Sequence, residues 1–329
     1  MPPRRHFGNV RKLPSGRWQA SYWHEGERHV APETFLAKTD ALAFLSTKET
    51  DILRGVWTAP AAGKVTFGEF ADQWLANQGH LRPRTVELYR HLLVSHIDPT
   101  FGPRQLSAIS NSQVVAWHRS LVMKLPGTAP KAYRLMASIM RSAVHDGCIV
   151  RSPVEVKGAS KEPVQEQKVP TVAEVEALAD AVPKQYRAMV LIAAWCGLRF
   201  GEAAALRRDR IDLLHRKVRV AETVTELASG ERFAAPPKTA AGRRTVSVPP
   251  NIAPEIEAHM ATVGAEPAAL VFPAPQGGYL SRAHFRQRVW LPALAATGLS
   301  YRFHDLRHSA LTWAAASGAT IAELILNQA

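Results

Sequence analysis

Cysteine is scarce in this sequence: Cys148 and Cys196 are the only two in 329 residues. They stand far apart and lack metal-ligand spacing. Neither a disulfide framework nor a thiolate metal site is expected, and a reducing cytoplasm is the default compartment. No apolar run approaches the roughly 20 residues that cross a bilayer. The start, Met1-Pro2-Pro3-Arg4-Arg5-His6, lacks the apolar segment of a secretory signal. Negative charge is also short, since 28 Asp and Glu face 41 Lys and Arg, a formal charge of +13. Such a surplus favours an anionic partner, and nucleic acid suits it better than a membrane surface when no spanning segment exists. The remaining composition, 46% hydrophobic and 21% charged, is that of a globular chain long enough for two or three cores.

Three segments follow from the patterning. In the first, to about residue 60, Val10–Leu13 and Trp18–Trp23 read as short strands joined at Pro14-Ser15-Gly16. A turn at His24–Glu27 leads to Arg28–Ala31, and a helix is expected from Thr39 to Leu53. Arg4, Arg5, Arg11, Lys12 and Arg17 make the opening stretch basic, with no acidic residue among them, and are candidate DNA contacts. Trp57–Lys64 reads as a linker.

The second segment, 65–155, supplies roughly four helices. Phe67, Phe70, Trp74 and Leu75 recur at helical spacing, as do Val86, Tyr89, Leu93 and Ile97 behind Arg82-Pro83-Arg84-Thr85. Ser110 with Gln113 has capping-box spacing. A fourth helix carries Leu135, Ile139 and Ala143 and closes at Gly147. Its Trp and Tyr residues read as core, and Arg82 and Arg84 are candidate DNA contacts. Ser152–Pro170, charged and proline-bearing, reads as a second linker, and Thr171 with Glu174 opens the third segment, 170–329. The fold class expected is a multidomain α+β protein: a small β-sheet-plus-helix domain, an all-α helical bundle, and a mainly α domain with a small β-sheet.

The third segment carries the chemistry. An apolar helix, Arg187–Cys196, ends at Gly197 and runs into Leu198-Arg199-Phe200-Gly201-Glu202. An arginine between a helix-ending glycine and a new helix start is aimed rather than free. Strands follow from Lys217–Val220, through a turn near Ser229-Gly230, to Pro236-Pro237-Lys238-Thr239 and on through Gly242-Arg243-Arg244 into Thr245–Pro249. This places Lys238 at or beside a hairpin tip, with Arg243 and Arg244 as further candidate DNA contacts. Phe303-His304-Asp305-Leu306-Arg307-His308 then heads a helix, with His304, Arg307 and His308 at i, i+3 and i+4 on one face of its first turn. A helix start also presents free N–H groups that suit a phosphate.

Each of these signals is common alone, but their order is not. An arginine in Gly-Leu-Arg-x-Gly-Glu, a lysine on a hairpin and His-x-x-Arg opening a helix resemble the tyrosine recombinases, the phage-integrase type of DNA breaking-and-rejoining protein. The resemblance extends over nearly the whole chain. It implies an arm-type DNA-binding domain at 1–60, a SAM-like core-binding domain at 65–155 and a catalytic domain at 170–329. It also implies a metal-free and cofactor-free transfer of a DNA phosphoryl group to a tyrosine, on duplex attachment sites, within a homo-oligomer that is a tetramer in the family. By that resemblance Arg199 and Arg307 clamp the phosphate, Lys238 protonates the leaving oxygen, His304 assists proton transfer and Glu202 buttresses the site.

The nucleophile is where this sequence departs from the pattern. All six tyrosines, Tyr22, Tyr89, Tyr133, Tyr186, Tyr279 and Tyr301, precede His304, and the residues given stop at Ala329. The expectation is a member truncated before its nucleophile and unable to cleave alone. Its alternative is a DNA-binding protein without catalysis that occupies attachment sites. A metal-dependent phosphohydrolase built on His304-Asp305 is the weakest reading, because His215, His259 and His284 lack ligand spacing.

Overall fold

The computed structural model describes residues 7–55, 57, 64–162, 168–237 and 242–316. The chain divides into two compact units, residues 1–164 and 165–329. The mixed helix-and-sheet architecture expected from the patterning is present.

The first unit contains two separate cores. In the first, an antiparallel sheet β1-β2-β3 is formed by Asn9–Lys12, Trp18–His24 and Glu27–Val30. Alternation along β2 turns Ala20 and Tyr22 inward, where they meet Ala41 and Leu45 of helix α1, Lys38–Leu53. Trp57, assigned to a linker by composition, is part of this fold. Its Nε1–H donates to the Tyr22 hydroxyl at 2.8 Å, and its ring meets His24 and His29 edge-on.

The second core is a helical bundle. Helix α2, Phe67–Ala76, starts at a capping box of Thr66 and Glu69. Helix α3, Pro83–Leu92, continues through one wide π turn, Leu93–Ile97, into the short α4, Asp98–Phe101. Helix α5, Asn111–Lys124, has the Ser110–Gln113 capping box that the spacing indicates. Helix α6, Ala129–His145, buries Ala132, Leu135, Met136, Ile139, Met140 and Ala143 along one side. The aromatic residues are core: Trp74 donates to Ser142 Oγ at 2.9 Å, and Trp117 to the His96 carbonyl at 2.8 Å.

The second expected linker requires a correction in its first half, which is fastened to the bundle. Val156 N–H donates to the Tyr133 hydroxyl at 2.8 Å, and Asn111 Nδ2 donates to the carbonyls of Pro153 and Glu155. Arg134 donates to the Ser160 carbonyl at 2.8 Å and pairs with Glu162. Val154 and Ala159 are buried in the bundle core. Charge and proline content disguised the apolar residues that recur between them. Residues 163–167 lie outside the described residues.

The second unit is built on helix α8, Lys184–Trp195, which is apolar on every side and buried from Ala188 to Ala194. Helix α7, Val172–Ala181, packs against it and begins at the Thr171–Glu174 capping box. The short α9, Phe200–Ala204, follows α8. A three-stranded antiparallel sheet joins β4 (Ile211–Asp212), β5 (Lys217–Val220) and β8 (Arg244–Ser247), while β6 (Thr223–Glu226) and β7 (Arg232–Ala235) form a separate hairpin. Helices α10 (Ala253–Met260), α11 (Arg282–Phe285), α12 (Leu291–Thr297) and α13 (Leu306–Ala316) complete the unit. Among the described residues, no helix is long and apolar enough to cross a membrane.

The strands of this stretch pair out of sequential order. β5 pairs with β8, not with the strand after the Ser229-Gly230 turn, and that turn instead closes β6 on β7. Lys238, expected at or beside a hairpin tip, follows β7 in the sequence. The residue itself lies outside the described residues.

Candidate active site

The site begins where α8 stops. Gly197 takes φ of 66°, a left-handed conformation that ends the helix and turns the chain into Leu198-Arg199. The second glycine of the motif has a different reason. A Cβ at Gly201 would lie 2.5 Å from Thr223 Oγ1 and 3.0 Å from the Val224 carbonyl, so only glycine lets α9 approach β6.

Arg199 caps α9, and Glu202 one turn later reaches back to it. The Glu202 carboxylate accepts Arg199 N–H at 2.9 Å and Arg199 Nη1–H at 2.9 Å. The same carboxylate accepts Arg244 Nη2–H at 2.9 Å and Nη1–H at 3.2 Å, and Arg307 Nη1 stands 4.0 Å away. Arg244 and Arg307 both also donate to the Gly197 carbonyl. Three guanidinium groups, from α9, β8 and α13, thus converge on one carboxylate.

Burial decides what this cluster can do. The side chains of Glu202, Arg244 and Arg307 are 3%, 5% and 6% exposed, whereas that of Arg199 is 45% exposed. Three cations against one anion leave two positive charges in excess. Burial, then the neighbouring Arg199 and Arg244, pull the Arg307 pKa down to about 10, so it stays charged at neutral pH. For Glu202, burial works to raise the pKa, but the hydrogen bonds and charge of Arg244, with the bonds from Arg199, prevail and hold it below the ordinary carboxylate value. An anion entering beside Arg199 and Arg307 would relieve the repulsion among the three cations.

His304 sits on the 3₁₀ turn Phe303–Asp305 that leads into α13. Asp305 fixes this turn by accepting Arg302 N–H at 2.7 Å and pairing with its guanidinium at 2.7 Å. Its carboxylate is committed to structure, which weakens the metal reading of His304-Asp305. Among the described residues no three His, Cys, Asp or Glu side chains gather as a metal site. The His304 ring meets His308 edge-on at 5.5 Å. Desolvation first, then the electrostatic influence of the neighbouring His308, Arg307 and Arg199, lowers the His304 pKa, so its imidazole is neutral near pH 7 and able to accept a proton.

The structure therefore brings together four of the residues singled out in the sequence, Arg199, Glu202, His304 and Arg307. Arg244, a candidate DNA contact in the sequence, is buried against Glu202. Period-two alternation in Arg244-Thr245-Val246-Ser247-Val248 turns Arg244 to the same side as Val246 and Val248, a signal present in the sequence. Arg243, one residue earlier, is exposed, as are Arg11, Lys12, Arg17, Arg82 and Arg84. Arg17 is engaged with Thr34, and Arg84 pairs with Glu87 at 3.3 Å. Arg4 and Arg5 lie outside the described residues.

The six tyrosines are each engaged elsewhere or buried. Tyr301, the nearest in sequence, donates its hydroxyl to Glu174 at 3.0 Å, and burial together with that carboxylate raises its pKa. Tyr279 accepts from Arg207, Tyr186 is buried, and Tyr22, Tyr89 and Tyr133 belong to the cores of the first unit.

Residues 168–325, which hold this cluster, match the phage integrase family. Residues 6–54 match the phage integrase N-terminal domain, and 66–122 its N-terminal SAM-like domain. Over 332 residues the chain is 37% identical to a putative prophage phiRv2 integrase of Mycobacterium tuberculosis, covering 98% of this chain and 88% of that one. The chain belongs to the phage integrase family of tyrosine recombinases. An integrase of Mycobacterium phage L5 is 31% identical over 338 residues, covering 98% of this chain and 90% of that one. Two solved structures share the fold. The Tn1549 transposon integrase in complex with a circular intermediate DNA has a TM-score of 0.71 at 16% identity, over 80% of this chain and 90% of that one. A lambda integrase tetramer bound to a Holliday junction has a TM-score of 0.59 at 17% identity, over 100% of this chain and 96% of that one.

Proposed function

We propose that this chain is a site-specific DNA recombinase whose buried arginine cluster grips one phosphate of a duplex attachment site. The convergence of Arg199, Arg244 and Arg307 on Glu202 carries the reading. It leaves surplus positive charge beside a half-exposed arginine and a neutral imidazole. Arg199 and Arg307 hold the two non-bridging oxygens, a task suited to the guanidinium fork. Glu202 keeps both forks oriented, and His304 takes or returns a proton in the family's reaction, in which a tyrosine oxygen bonds to phosphorus as the 5′ oxygen leaves. Assigning Lys238 as the donor to that leaving oxygen follows the family order of residues alone. The solved relatives are integrases bound to DNA, one of them a tetramer on a Holliday junction. Duplex DNA is accordingly the proposed partner and a homo-oligomer on it the proposed assembly. Arg11, Lys12, Arg17, Arg82, Arg84 and Arg243 are proposed contacts to its backbone. Domain limits of 1–60, 65–155 and 170–329 are proposed for the arm-binding, core-binding and catalytic parts, and the cytoplasm for its location.

A polypeptide of these 329 residues holds no tyrosine after His304. We propose that this polypeptide binds attachment-site DNA without cleaving it. Covalent trapping on a nicked duplex that the protein itself selects from random sequence tests both statements. Retained binding with no adduct surviving denaturation is the expected result. An adduct would show that a nucleophile exists among these residues, and absence of any binding would overturn the recombinase reading.

A further inference from the structure

A second basic feature lies on the three-stranded sheet and shares Arg244 with the arginine cluster. A hollow of about 480 Å³ is lined by Arg210, Arg219, Glu222, Arg243, Arg244 and Thr245, among others. Strand alternation explains its chemistry. Arg219 on β5 is paired in register with Thr245 on β8, and both point away from the core that receives Val218, Val220 and Val246. Arg243 is exposed just before β8, while Arg244 turns inward to Glu202. One acidic side chain enters the lining, and Glu222 is already paired with Arg207 at 3.3 Å. Arg210 has Asp209 at 3.5 Å. Among the described residues, Arg219 and Arg243 have no acidic partner. Arg244 is 5% exposed and its Nε has no hydrogen-bond partner among the described residues, so the wall shared with the cluster holds an unused buried donor.

We infer that this hollow is a second phosphate site, which takes an internucleotide phosphate of the same duplex other than the one held by Arg199 and Arg307. The inference rests on the recombinase reading. Two uncompensated forks beside a threonine hydroxyl suit a phosphodiester and would cost little to desolvate, since both are already exposed. Arg243 and Arg244 are adjacent, so the strand that seats this phosphate also carries the buried arginine that holds Glu202. The hollow then sets the register of the duplex on the catalytic unit without reading bases.

The test measures duplex affinity of the 329-residue polypeptide against salt, with a 30-base-pair probe of random sequence. Each phosphate contact contributes about 0.9 to the logarithmic salt slope. Arg219→Ala with Arg243→Ala is expected to lower the slope by about 0.9, which shrinks the loss of affinity between 50 and 200 mM salt about 3.5-fold. Arg219→Lys with Arg243→Lys is expected to retain the slope, and circular dichroism verifies that both variants fold. An unchanged slope in the alanine variant, with wild-type protein binding normally, overturns the second site and leaves the recombinase reading intact. Wild-type protein that binds no duplex overturns both. Inorganic phosphate alone serves as the other probe. Binding it to wild type but not to the alanine variant, with duplex affinity unchanged, would make the hollow a free-anion site and overturn the inference.

Discussion

The helical bundle and the recombinase unit fold by the same rules but differ in what they bury. Behind α2, α5 and α6 the core is apolar, and polar groups such as the Tyr133 hydroxyl and the Trp74 indole find neutral partners. Among the described residues of the second unit four charged side chains, Glu202, Arg244, Asp305 and Arg307, are buried. A buried charge costs several kcal/mol unless paired, so a fold that needed only stability would have no use for Arg244 and Arg307 inside. The difference is one of purpose: one region buries surface to hold itself together, and the other holds desolvated cations, as the proposed phosphate grip requires.

The sharpest way to break this comparison is to remove its anion. Glu202→Ala leaves Arg244 and Arg307 buried without their carboxylate, and urea denaturation should show a loss of about 3–5 kcal/mol. A loss below 1 kcal/mol would mean that the cluster is solvated and not a buried assembly. On the neutral side, Tyr133→Phe removes the acceptor of Val156 N–H and should cost about 1–3 kcal/mol. Limited proteolysis should then open the segment 152–162. Resistance equal to wild type would show that the buried Val154 and Ala159 hold it without Tyr133.

Protonation gives a smaller effect of defined sign. The folded pKa of His304 lies below its ordinary value, so the unfolded chain binds the proton more readily. Its stabilising contribution is present above about pH 6.5 and declines as pH falls through that value. Stability measured across pH 5 to 8 should fall towards acid, and His304→Gln should flatten that fall. An NMR midpoint for His304 above 6.5 would contradict the account. Smallest of all, Thr171→Ala removes the cap that opens α7 and should cost about 1 kcal/mol with duplex affinity unchanged, as calorimetry and a binding titration would show.

Local patterns made much of this legible beforehand. Three capping residues, Ser110, Thr171 and Gly197, marked ends of helices that are present, and the spacing within Gly197–Glu202 and His304–Arg307 marked the site. Contacts between distant segments were harder to read. Nothing near Arg244 in sequence reveals that Glu202 lies opposite, although the valines two and four residues later assign its face. The pairing of β5 with β8 passes over the hairpin formed by β6 and β7, a crossover that a sequential reading does not reveal. Val154 and Ala159 were masked by charged neighbours, because average composition conceals which side chains have a cavity to enter.

The central claim is that Arg199 and Arg307 share one DNA phosphate. Side-chain guanidinium resonances, followed by NMR as duplex DNA is added, test it most directly. The account predicts that the signals of Arg199 and Arg307 shift together and saturate at the same DNA ratio, while that of Arg187, which is tied to Glu176, Asp180 and Glu255, stays in place. Saturated DNA binding with the Arg199 and Arg307 signals unmoved would contradict it.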